Sequence, residues 1–111
     1  KNSMQAERIK FLLDQIELAP EDPFNLYALA IEYKDNQQDK AIKYFEKLLK
    51  EFPEYLPTYY HAAALYFETN QNKEAENTYL LGIKLAEKLK KEKTLRELKS
   101  AYQMFLDEID E

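Results

Sequence analysis

Apolar residues recur three and four positions apart along nearly the whole chain, and alternation of period two is almost absent. That spacing belongs to amphipathic helices, not strands. Six helices follow from it. The first is expected from Met4 to Leu18, capped by Ser3, with Ile9, Leu12, Leu13 and Ile16 as its inward stripe. Asp22 and Pro23 open the second, because proline in the first helical turn loses no hydrogen bond. Its stripe is Leu26, Leu29, Ala30 and Tyr33, and it stops near Asp35 and Asn36. Asp39 is expected to cap the third, which carries Ala41, Phe45 and Leu48 and ends at Pro53. The fourth follows Pro57, carries Tyr59, Ala62, Ala63 and Tyr66, and breaks at Asn70. Asn72 caps an expected fifth helix from Lys73 to about Lys91. Thr94 and Glu97 fit a capping box, which starts a sixth helix at Leu95 and ends it near Ile109. A single helix continuous from Lys73 is the alternative. Asp107, Glu108, Asp110 and Glu111 oppose the dipole at that end, which predicts fraying.

The helical pattern repeats. Ala41 and Ala75 stand 34 residues apart, and Pro20 and Pro53 stand 33 apart. Leu26, Leu29, Ala30 and Tyr33 reappear as Tyr59, Ala62, Ala63 and Tyr66, and the pair Ala41 and Phe45 reappears as Ala75 and Tyr79. On these residues the chain resembles the tetratricopeptide repeat (TPR) family. The resemblance covers two full units, and Leu12 with Pro20, and Leu95 with Leu98 and Tyr102, echo partial units on either side. It implies an all-α fold, a right-handed α-solenoid of antiparallel helix pairs. Small residues such as Ala30 and Ala63 let paired helices approach closely, and aromatics such as Phe45 and Tyr66 fill the space beside them. One domain is expected over residues 1–111: an N-terminal helix at 1–20, repeats at 23–55 and 56–90, and a capping helix at 94–111. Arg8 and Lys99 stand where the pattern calls for small residues, which suits edge helices.

Composition narrows the chemistry. The chain has 111 residues, one glycine (Gly82), four prolines, no cysteine and one histidine, His61. Disulfide, thiolate and phosphate-loop chemistry therefore have no residues to work with. No apolar run is long enough to span a bilayer, and a cytoplasmic protein with no membrane partner is the expectation. The net charge of −5 disfavours nonspecific nucleic-acid binding. The lysines at 84, 88, 90, 91 and 93 are interleaved with Glu87 and Glu92 and lack aromatic neighbours, so they read as a solvated face. His61 has only Thr58 nearby on its own helix, and no metal-ligand spacing exists. No catalytic, cofactor or metal residue is assigned, and the chain is not expected to be an enzyme.

In the family the chain resembles, the first helix of each pair lines a concave groove that holds a peptide. Carried over, that groove is expected to comprise Phe24, Tyr27, Ile31 and Lys34 in the first repeat and Tyr60, His61, Ala64, Phe67 and Glu68 in the second. The sixth helix would add Arg96, with Lys93, Ser100 and Gln103. Aromatic side chains suit this role because they offer wide contact at little rotamer cost. The carboxylate clamp of chaperone-binding members is not implied: Tyr27, Ile31 and His61 stand in slots where it has lysine or asparagine, and only Lys93 matches. The expected function is a scaffold or adaptor binding a peptide segment of another protein. Two alternatives stand beside it. One is a homodimer through the sixth helix, whose Tyr102, Met104, Phe105, Leu106 and Ile109 spread over more than one side. The other is an accessory interaction domain of a larger protein.

Overall fold

A computed structural model describes residues 2–111; Lys1, counted in the expected N-terminal segment, lies outside them. Among the described residues there are six helices and no strand: α1 (Asn2–Leu18), α2 (Pro23–Tyr33), α3 (Gln38–Glu51), α4 (Pro57–Glu68), α5 (Asn72–Leu89) and α6 (Glu92–Ile109). The chain divides into two compact units, Lys1–Tyr55 and Leu56–Glu111, each made of three helices.

In the first unit α2 is the middle helix, packed by α1 and by α3. The short connections make each packed pair antiparallel. Asp22 Oδ1 accepts the Phe24 backbone N–H at 3.0 Å and Pro23 takes the first position, as the sequence predicts for the start of α2. Leu26, Leu29, Ala30 and Tyr33 are buried, against Ala41, Phe45 and Leu48 of α3. Burying a side chain such as Phe45 fully stabilises by about 1.5–3 kcal/mol. The Tyr33 ring stacks on Tyr44, with centroids 5.8 Å apart, and Lys40 Nζ lies 5.2 Å from its centre. Among the described helices α1 packs on α2 alone, so its inward stripe is narrow. Leu12 is buried and Ile9 and Ile16 are half-buried, but Leu13 is 41% exposed and does not join the stripe as expected. Arg8 ties α1 to α2 through two bonds to the Glu32 carboxylate, at 2.9 and 3.2 Å, while Gln5 Nε2 donates to the Glu32 carbonyl.

In the second unit α5 is central, with α4 and α6 packed on it and a smaller α4–α6 contact. Thr58, Tyr59, Ala62, Ala63, Leu65 and Tyr66 of α4 are buried, as are Ala75, Thr78, Tyr79, Gly82 and Ala86 of α5 and Leu98 and Phe105 of α6. Gly82 sits where three helices meet: a Cβ there would lie 2.6 Å from Tyr59 Cβ and 3.3 Å from Leu98 Cδ1. Phe67, Tyr79, Tyr102 and Phe105 form one ring cluster with centroids 5.1–6.2 Å apart. Thr78 Oγ1 donates to the Glu74 carbonyl, whereas the buried Thr58 hydroxyl has no hydrogen-bond partner among the described residues.

Four expected caps are displaced. Ser3 lies inside the first turn of α1. Asp39, Asn72 and Thr94 likewise lie within α3, α5 and α6, whose actual N-caps are Gln37, Gln71 and Lys91, none with a capping side-chain bond. At each of those three starts the cap carbonyl accepts from the residue four positions on: Ala41, Ala75 or Leu95. α5 and α6 are separate helices. Lys90 takes the left-handed conformation, φ 59° and ψ 40°, and the Lys91 N–H closes back on the Ala86 carbonyl at 3.0 Å. Asn70 repeats the motif after α4, with φ 65° and Gln71 N–H on the Tyr66 carbonyl at 2.8 Å.

Candidate protein-binding faces

The buried residues of α2 leave Phe24, Tyr27, Ile31 and Lys34 on the opposite side, spaced three, four and three apart so that they form one stripe. They differ in what they can offer. Phe24 is 55% exposed. Tyr27 is half-buried, its ring edge-on to Tyr55 at 5.8 Å, and Ile31 is half-buried too. Lys34 Nζ pairs with the neighbouring Asp35 at 3.2 Å. Burial pushes the Tyr27 and Tyr55 phenols above their ordinary range.

On α4 the corresponding stripe is Tyr60, Ala64 and Phe67, flanked by His61 and Glu68. Tyr60 is 42% exposed, and the His61 ring stands edge-on to it at 5.4 Å. Ala64 is half-buried and Glu68 is exposed. Phe67 is committed inward: its ring meets Phe105 of α6 edge-on at 5.1 Å. Arg96 is exposed on α6, a different helix from the rest. Phe24 and Tyr60 are thus the open aromatic positions, while Tyr27 and Phe67 also hold the fold together.

Sequence reasoning missed three structural partners of these faces. Tyr55 follows the third helix and carried no pattern signal, yet its ring supports Tyr27. Sequence spacing puts Phe105 in a surface seam, yet its ring backs Phe67. Glu32, one position from Ile31, holds Arg8. An arginine where small residues are expected was the one readable signal for that pair. The faces contain rings, aliphatic surface and edge charges. Among the described residues no group of three His, Cys, Asp or Glu could hold a metal ion, and no helix is long and apolar enough to cross a membrane.

The tetratricopeptide repeat family model matches residues 32–88. The solution NMR structure of a tetratricopeptide repeat domain protein from Salinibacter ruber is similar to this chain: 39% identity, TM-score 0.72, covering 78% of this chain and 88% of that one. A crystal structure of a tetratricopeptide repeat domain protein from the same organism gives 38% identity and TM-score 0.72, covering 76% and 96% respectively. Comparison with curated proteins gives no match. With helix pairs built on buried alanines, a matching family model and relatives of this identity, the chain belongs to the tetratricopeptide repeat family.

Proposed function

We propose that the chain binds peptide segments of another protein, on the exposed stripe of α2 in the first unit and on that of α4 in the second, each taken by itself, and performs no chemistry on them. Tetratricopeptide repeats generally mediate protein–protein interaction, and members of the family are typically not catalytic. The observation that carries the reading is the exposure of Phe24 and Tyr60, at 55% and 42%, on helices whose opposite faces are fully buried. Large rings left in water on an otherwise rigid helix serve well as recognition anchors, since little freedom remains to be lost on binding.

A random-peptide display selection against the intact chain tests this. The double variant Phe24→Ala/Tyr60→Ala is expected to lose binding of the selected peptides by about 10- to 100-fold, the scale of a hot-spot truncation. Its unfolding free energy should stay within about 0.5 kcal/mol of the parent, as is usual for exposed positions. Unchanged peptide affinity in that variant overturns the reading. Tyr27→Ala and Phe67→Ala are poorer probes, because each removes a ring contact that joins separate elements, whereas the ring that meets Tyr60 is that of His61, its neighbour on the same helix.

A further inference from the structure

The outward stripe of α6 is Lys93, Arg96, Ser100, Gln103, Asp107 and Asp110, with Asp110 just past its last turn, and all six are exposed. Their spacing alternates strictly between three and four, so they form a continuous seam along one side of the helix. The seam is basic in its first half and acidic in its second. That order opposes the helix's own dipole, which favours anions at the N-terminus and cations at the C-terminus. Glu92 is the only acidic residue in the first turn, and the last turn has no basic residue. Among the described residues Lys93, Arg96 and Asp110 have no side-chain hydrogen-bond or ion-pair partner, and Asp107 accepts from Gln103 on its own helix, at 3.0 Å. A charge order that weakens its own helix and is left unpaired calls for an outside complement.

We propose that α6 pairs with α6 of a second copy of this chain, antiparallel, about a two-fold axis at the level of Ala101 and Tyr102. In that register Arg96 faces Asp107 of the second copy, Lys93 faces its Asp110, and Ser100 faces its Gln103. Each pair occurs twice by symmetry. A parallel pairing would set like charges on like. An unrelated acidic partner would match only the basic half, whereas a copy supplies the complement of both halves. Each helix also brings its basic half beside the acidic half of the other, relieving the unfavourable order in both. The apolar residues of α6 contribute little to this seam: Tyr102 and Phe105 pack inward against Tyr79, and only Met104, 61% exposed, flanks it. The contact is therefore small, polar and transient.

Sedimentation equilibrium across concentration reads this out. At low ionic strength the average mass of the full chain should climb above 13.3 kDa toward twice that value. Near 1 M salt, where the screening length is about 3 Å, the rise should vanish. Arg96→Asp or Asp107→Arg alone should abolish association, and the double exchange Arg96→Asp/Asp107→Arg should restore it, with unchanged helicity in all three. A monomer at every concentration in low salt overturns the proposal. So does a double exchange that fails to restore association. A dimer that persists in 1 M salt and survives Arg96→Asp also overturns it and assigns the contact to Met104 and Ile109.

Discussion

Gly82 shows how much one residue can carry. Its missing side chain lets α5 approach Tyr59 of α4 and Leu98 of α6 at once. The nearest atom is Tyr59 Cβ, fixed to the backbone, so it cannot rotate away from an added methyl. Overpacking of this kind costs about 1–3 kcal/mol, and alanine returns about 1 kcal/mol of helix propensity. The two terms leave a net loss of up to about 2 kcal/mol for Gly82→Ala in urea unfolding, toward the upper end because the clashing Cβ is fixed to the backbone. A neutral or stabilising result would remove the close approach from the account. The alanines that do the same work at 30 and 63 were legible in the sequence because they recur in a repeat, and both are fully buried. Gly82 was not, because a lone glycine has no periodic context. Leu48, 34 positions earlier, is equally buried, so the same place in the first unit is filled by a large side chain instead.

At the scale of the element, the existence and order of all six helices could be read from apolar spacing, but their starts could not. Asp39, Asn72 and Thr94 looked like caps by residue type, yet the chain turns into each helix one to three residues earlier. What sets these starts is backbone closure, with the inward-packing Ala41, Ala75 or Leu95 donating to the cap carbonyl. The recurrence of Gln37 as Gln71, one repeat later, marked two of these starts in the sequence itself. Helix ends follow the same logic. Asn70 suits its left-handed conformation, but Lys90 pays for a Cβ placed against its own carbonyl. Lys90→Gly relieves about 1–2 kcal/mol of that strain and loses part of it to the added freedom of the unfolded chain. The net expectation is a gain of about 0.5–1 kcal/mol, measured as a higher urea midpoint with an unchanged slope. Lower stability would mean that the turn between α5 and α6 is not closed by a left-handed residue.

For the molecule as a whole, the buried phenols set an upper pH limit. Burial pushes the Tyr79 phenol from 10.0 to about 12, with nearby Tyr60 and Glu108 adding to the shift. Tyr27, Tyr55 and Tyr59 are raised by burial, and Tyr102 by its 2.8 Å bond to the Glu76 carboxylate. Between pH 10 and 12 the unfolded chain releases the Tyr79 proton while the folded chain keeps it. Stability that is full below pH 10 is thus lost as pH rises, at up to about 1.4 kcal/mol per pH unit for this group. Urea midpoints should fall across that range, and Tyr79→Phe should flatten the fall. An equally steep decline in the variant would assign the loss to other groups. The binding faces were only partly legible at this scale. Apolar spacing placed the outward stripes, but which rings stay open depends on packing partners such as Tyr55 and Phe105 that lie far along the chain.

The ring pairs also make the protein its own spectroscopic label. With nine tyrosines and no tryptophan, its near-ultraviolet circular dichroism arises mainly from phenols held in fixed relation to one another. The first unit has Tyr27 with Tyr55 and Tyr33 with Tyr44; the second has Tyr79 with Tyr102. Removing one hydroxyl-bearing ring from a chosen pair subtracts that pair's share of the signal, so the difference between parent and variant spectra reports on the unit that holds the pair, without attaching a dye.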